Sequence, residues 1–232
     1  MTEMFKRIAG VSGLTFVVVF VIANIASGEP ARTATGEEIA KYLSGHQTSN
    51  EVLGSLAMLI SGVFAVFVVG VWTLLRSSQR DGGRAWPGVA LVGGMGMAVN
   101  LALLGGAIAG EGRLGGSLAT QPILAQTVFI SEQMLATAIV PFIALFLLGV
   151  GVSTVESRAF PIWLAWLAFL GSALNVVLLA QSLWPGPVLD GVGIVQALAT
   201  LGCIAIVAIY MLLPQRQPMA FGAQASGAAK AR

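Results

Sequence analysis

The chain has 232 residues, of which 9% are charged and 56% hydrophobic, with a formal net charge of +2 and a single cysteine. A soluble domain carries roughly 25% charged residues, so these proportions exclude an ordinary water-soluble fold. They also disfavour a nucleic-acid binder, because the few basic residues sit beside apolar runs rather than in a basic patch. Cys203 alone can form neither an internal disulfide nor a thiolate metal site.

Six apolar runs divide the sequence, at Ile8–Ala26, Val52–Leu75, Trp86–Ala109, Val128–Val150, Phe160–Ala180 and Val188–Leu213. Each is close to the roughly 20 residues that cross a hydrocarbon core about 30 Å thick as a helix. They lack the strict alternation of barrel strands. The expected fold class is therefore all-α, a polytopic six-transmembrane helix bundle over residues 1–213, followed by a flexible cytoplasmic tail over 214–232.

In chain order, Lys6 and Arg7 precede span 1. Its apolar run exceeds the 7–15 residues usual for a signal peptide, so a retained helix is expected. The loop Ser27–Glu51 contains TATGEEIAKYLSGH. Thr33 or Thr35 can cap a short interfacial helix there, with Glu37 and Glu38 favourable near its positive end. Ile39, Tyr42 and Leu43 recur at helical spacing. His46 closes that element, either as an exposed polar residue or as a proton-sensitive group. The connection Arg76–Pro87 is basic and lacks a phosphate-loop motif; it reads as a headgroup anchor. Pro141 lies well inside span 4 and predicts a kink.

Two segments repeat. Arg84-Ala-Trp-Pro87 and Arg158-Ala-Phe-Pro161 open spans 3 and 5, and Gly96-x-x-x-Asn100 matches Gly171-x-x-x-Asn175 farther along. Spans 2–3 and 4–5 then form two related hairpins in parallel orientation. Glycines along spans 1, 2 and 3 suit the close helix packing that lipid-embedded bundles rely on.

With the N-terminus inside, nine of the twelve basic residues fall on the inner side and only Arg32, Lys41 and Arg113 outside. This bias predicts N-in, C-in topology. Polar side chains show a second asymmetry. Asn24, Asn100, Glu132, Gln133, Asn175 and Gln196 all enter spans in the outer half, where they form either an outward-facing polar pocket or interhelical hydrogen-bonding glue. No catalytic, cofactor-binding or metal-ligating motif accompanies them. Neither a cofactor nor nucleic acid is expected. Membrane lipids, and an oligomer or protein partner within the membrane, are the expected partners.

Lys6-Arg-Ile-Ala-Gly10, Leu74-Leu-Arg76, Val99-Asn100-Leu101 and Phe160-Pro-Ile-Trp163-Leu-Ala together resemble a broad bacterial family of six-span membrane proteins of unknown function, the DUF4386-type proteins. Ile162 departs from that pattern, where a basic residue commonly follows the proline. The resemblance implies a six-helix arrangement in a bacterial cytoplasmic membrane and no particular substrate. Binding of a lipid or small amphiphile is the leading expectation, or service as a partner subunit. A small-solute transporter is the alternative, and a membrane enzyme using Glu132 comes third.

Overall fold

A computed structural model describes residues 2–28, 30, 34–79, 85–183 and 190–213. They form seven helices: α1 (Glu3–Ser27), α2 (Gly36–Gly45), α3 (Gln47–Ser78), α4 (Ala85–Leu118), α5 (Pro122–Ser157), α6 (Ile162–Leu183) and α7 (Asp190–Leu212). All except α2 are long and apolar enough to cross a membrane. The tail 214–232, Arg32, the loop residues Arg80, Asp81 and Arg84, and Trp184 lie outside the described residues.

Local chemistry sets several helix ends. Thr2 caps α1, its hydroxyl accepting from the Phe5 N–H at 3.4 Å, and Gly28 ends that helix at φ 52°. Thr33 lies outside the described residues, and Thr35 caps α2. Its hydroxyl accepts from the Glu38 N–H at 3.3 Å while the Glu38 carboxylate accepts from the Thr35 N–H at 2.8 Å. This reciprocal capping box satisfies two N–H groups that the helix start would otherwise leave unpaired. Arg158 ends α5 in the left-handed region at φ 53°, a conformation that usually falls to glycine.

The six long helices form a closed ring in the order α1, α3, α4, α5, α6, α7 and back to α1. The most extensive seams are α3–α4 and α4–α5, and the sparsest is α6–α7. At α3–α4 the backbones nearly touch. A Cβ on Gly105 would lie 2.6 Å from the Gly54 carbonyl oxygen and 2.8 Å from the Met58 nitrogen. The α4–α5 seam repeats the device, with Gly93 against Phe146 and Gly149 against Ala90. Such approach replaces the hydrophobic drive that lipid does not supply.

Aromatic side chains fill the ring. Phe16 and Phe64 have centroids 4.4 Å apart, and Phe146 meets Phe64 at 6.0 Å and Phe67 at 6.4 Å. The outside is the reverse of a soluble protein: Val18, Ile22, Leu59, Val92, Trp166 and Leu198 are all exposed. So large an exposed apolar surface fits lipid and not water. The chain is thus a multi-pass membrane protein.

One end of the bundle gathers the start of α1, the ends of α3, α5 and α7, and the basic residues Lys6, Arg7, Arg76 and Arg158. Lys6 is buried there, and its ammonium donates to the Leu213 carbonyl at 3.4 Å. A cation at a helix C-terminus is favourable because the last carbonyls carry partial negative charge. Arg76 lies over the Trp72 ring at 5.3 Å, and Trp163 packs near Tyr210. These amphipathic rings are suited to a membrane–water boundary.

The opposite end carries α2 and extends farther than the apolar runs suggest. With 34 and 36 residues, α4 and α5 are about 51 and 54 Å long, well beyond a 30 Å core. The sequence reading ended span 3 at Ala109 and began span 4 at Val128. The helices instead run to Leu118 and from Pro122, joined by a short turn. Packing explains the continuation. Gly112 and Gly115 let α4 continue against Gln47, Glu51 and Leu43, and proline is compatible with the first turn of α5. The underside of α2 (Ile39, Ala40 and Leu43) joins Leu118, Ala125 and Phe129 in a second hydrophobic cluster.

Candidate functional site

Of the six polar residues singled out in the sequence, the structure brings Asn175 and Gln196 together. Asn175, fully buried on α6, donates through Nδ2 to the Gly171 carbonyl at 2.8 Å and to the Thr200 hydroxyl at 3.2 Å. Its Oδ1 accepts from the Gln196 amide at 2.8 Å, and the same amide donates to Thr200 at 3.3 Å. The three side chains form a polar clasp across the α6–α7 seam. Thr200 was missed by the sequence reading, although its i+4 spacing from Gln196 puts both on one helix face.

Asn100 does not join them. It is half-buried on α4 and donates to its own Gly96 carbonyl at 2.9 Å. The Gly-x-x-x-Asn repeat therefore carries the same local bond twice, but α5 stands between α4 and α6 in the ring. Asn24 donates to Phe20 on α1 at 2.8 Å and is exposed.

Glu132 is 5% exposed on α5. It lies twelve residues from Ala144, whose carbonyl accepts the Ser172 hydroxyl at 2.9 Å. At a rise of 1.5 Å per residue, Glu132 sits roughly 13 Å above the Asn175 level. Gln133, beside it, is half-buried. Glu111, just past the expected end of span 3 at Ala109, is 2% exposed on α4, because that helix continues to Leu118.

His46 is exposed at the α2–α3 junction. Its ring stacks on Tyr42 at 4.4 Å, and its Nδ1 donates to the Tyr42 carbonyl at 2.9 Å. Among the described residues, no group of three or more His, Cys, Asp or Glu side chains is placed to hold a metal. Outside the membrane-spanning helices, the hydrogen bonds from the Thr35 backbone and then its hydroxyl hold the Glu38 carboxyl below its usual range.

Beside the polar clasp the helices leave an open recess. A groove of about 310 Å³ runs between α5 and α6, lined by Pro141, Ala144, Leu145, Leu148, Ser172 and Asn175, with Val176 and Leu179 completing its wall. Leu145 and Val176 are exposed, so it opens on the lipid-facing surface. Its polar floor is committed elsewhere: Ser172 bonds to Ala144, and Asn175 to Gly171, Thr200 and Gln196. What remains is an apolar slot at the small end of the volume range that small-molecule sites occupy.

Pro141, which supplies no N–H and whose ring crowds the preceding turn, forms part of the slot's wall. Ser172 holds the two helices together at the lower edge of the opening. No protein family, curated protein or solved structure matches this chain.

Proposed function

We propose that this protein is a non-catalytic membrane protein that holds the hydrocarbon chain of a lipid or small amphiphile in the α5–α6 groove. The observation that carries the reading is the slot itself: apolar, open to the bilayer, sized for a small apolar group, and formed at the one proline inside α5. The Asn175–Gln196–Thr200 clasp acts as glue that fixes α6 against α7 and so holds the far wall of the groove. The charge bias of the sequence supports a basic end facing the cytoplasm and an α2 end facing outward.

The test is lipid retention by the purified full chain. In mild detergent, native mass spectrometry should detect a co-purifying lipid on the wild type. Val176→Trp fills the slot from an exposed position and should reduce that occupancy at least about tenfold, with helical content unchanged. Equal occupancy in the two proteins would reject the groove as the binding site.

A further inference from the structure

The length of the groove and its depth in the bilayer together specify the chain that fits it. With 22 residues, α6 is about 33 Å long and just spans a hydrocarbon core of about 30 Å. Ser172 is its eleventh residue and so marks the midplane. The Ser172 hydroxyl donates to the Ala144 carbonyl at 2.9 Å, which sets Ala144 at the same height on the antiparallel α5. Among the lining residues, Leu179 lies seven residues beyond Ser172 toward the α2 end, and Leu148 four beyond Ala144 toward the basic end. At 1.5 Å per residue the groove runs from about 10 Å above the midplane to about 6 Å below it. Carbon–carbon bonds of about 1.5 Å at near-tetrahedral angles advance an extended chain by about 1.25 Å per carbon, so this length holds about 13 carbons in line. The volume of about 310 Å³ then allots about 24 Å³ to each carbon, close to the space of one methylene in a packed interior. The slot is one chain wide.

We propose that the groove selects one straight, saturated acyl chain of about 16–18 carbons, from a lipid anchored in the leaflet at the α2 end, with its terminal methyl past the midplane at Leu148. The inference rests on the reading of the groove as a chain-binding site. Depth sets the direction of entry. From the hydrocarbon boundary at the α2 end, a chain reaches Leu148 with about 17 carbons, whereas from the basic end it needs about 20 to reach Leu179. Shape sets the saturation. The wall formed by Ser172, Asn175, Val176 and Leu179 belongs to one unbroken helix, so the slot runs straight along it. A cis double bond bends and shortens a chain, and withdraws its end from Leu148. Straightening costs a saturated chain rotational freedom, which dispersion contacts along both helices offset.

The experiment uses the full chain in lipid nanodiscs containing one of three phosphatidylcholine probes, each with a diazirine at the end of one chain. The chains are saturated C16, saturated C10, and C16 with a cis double bond at its middle. Peptide mass spectrometry locates the label after irradiation. The saturated C16 probe should label Leu148, and the C10 probe should stop at the height of Ala144 and Ser172. The cis probe should label Leu148 about fivefold more weakly than its saturated counterpart, a difference on the order of 1 kcal/mol. Val176→Trp should abolish labelling of the groove by all three. A saturated C16 label at Asn175 and Val176 in place of Leu148 would overturn entry from the α2-end leaflet. Equal labelling of Leu148 by the saturated and cis probes would overturn the selection for a straight chain. Either result, if still blocked by Val176→Trp, leaves the groove standing as a binding site. Labelling by none of the probes that Val176→Trp can block would overturn the inference together with the site it rests on.

Discussion

The clasp between α6 and α7 makes a quantitative claim that a double-mutant cycle can test. Replacing Asn175 with leucine preserves its bulk and removes three hydrogen bonds: to Gly171, to Thr200 and from Gln196. Side-chain hydrogen bonds between membrane helices average about 0.6 kcal/mol each, so Asn175→Leu should cost about 2 kcal/mol. Gln196→Leu removes the 2.8 Å bond and the weaker contact at 3.3 Å, and should cost about 1 kcal/mol. The two changes share the short bond and the Thr200 hydroxyl, so they should not add. A coupling of about 1 kcal/mol is expected, inside the measured span for such pairs. Unfolding by sodium dodecyl sulfate in mixed micelles, followed by far-UV circular dichroism, gives the four free energies. A coupling below about 0.3 kcal/mol, the scatter of independent sites, would refute the clasp.

The α3–α4 contact predicts that Gly54→Ala costs about 1–3 kcal/mol, since its methyl would land on the α4 backbone at Gly105 and Ala109; the same micelle titration measures it, while Gly62→Ala, which meets nothing within 4 Å, should be neutral. Arg158→Gly should stabilise the protein by about 0.5 kcal/mol, the relief of a left-handed non-glycine residue less glycine's added chain entropy. Thr35→Ala should loosen α2 by about 1 kcal/mol, read as faster amide exchange over 36–45. Because the Glu38 carboxyl is held below its usual range by its bonds to Thr35, its support for α2 is complete above the unfolded carboxylate value and is lost as pH falls through the lower folded value; exchange in α2 should speed up on acidification below about pH 4.5, and Thr35→Ala should blunt that dependence. The proposed orientation predicts that an impermeant maleimide labels Ser49→Cys in intact cells and Ser77→Cys only after lysis. Cys203 is buried and gives little background.

How much of this was legible depends on what a one-dimensional reading can hold. The six spanning helices follow from run length alone, and α2 from Thr35, Glu38 and the Ile39–Leu43 spacing. Position along the helices was also readable, and Asn175 and Gln196, counted to similar heights on their spans, do meet. Azimuth was not. Asn100 carries the same Gly-x-x-x-Asn motif as Asn175 and is separated from it by a whole helix, because ring order depends on which glycine faces meet. Glu111 and Arg113 broke the apolar run and suggested a loop, yet Gly112 and Gly115 let α4 continue past them against α3. The groove includes Pro141, which stands out in the sequence well inside a span. That a groove lies there between α5 and α6 depends on packing that no local pattern encodes.

The seam between α1 and α7 has a consequence for how the protein is made. Gly10 and Gly13 are shaped for Ala208 and Leu212, and Lys6 for the Leu213 carbonyl. At a ribosomal rate of about 5–20 residues per second, roughly ten to forty seconds separate the synthesis of the two surfaces. Throughout that interval the α7-facing side of α1 is a vacant docking face in a crowded membrane, held only by α3. Release of α7 completes the ring, so a stalled or truncated nascent chain would leave that face open to foreign helices and quality-control proteases.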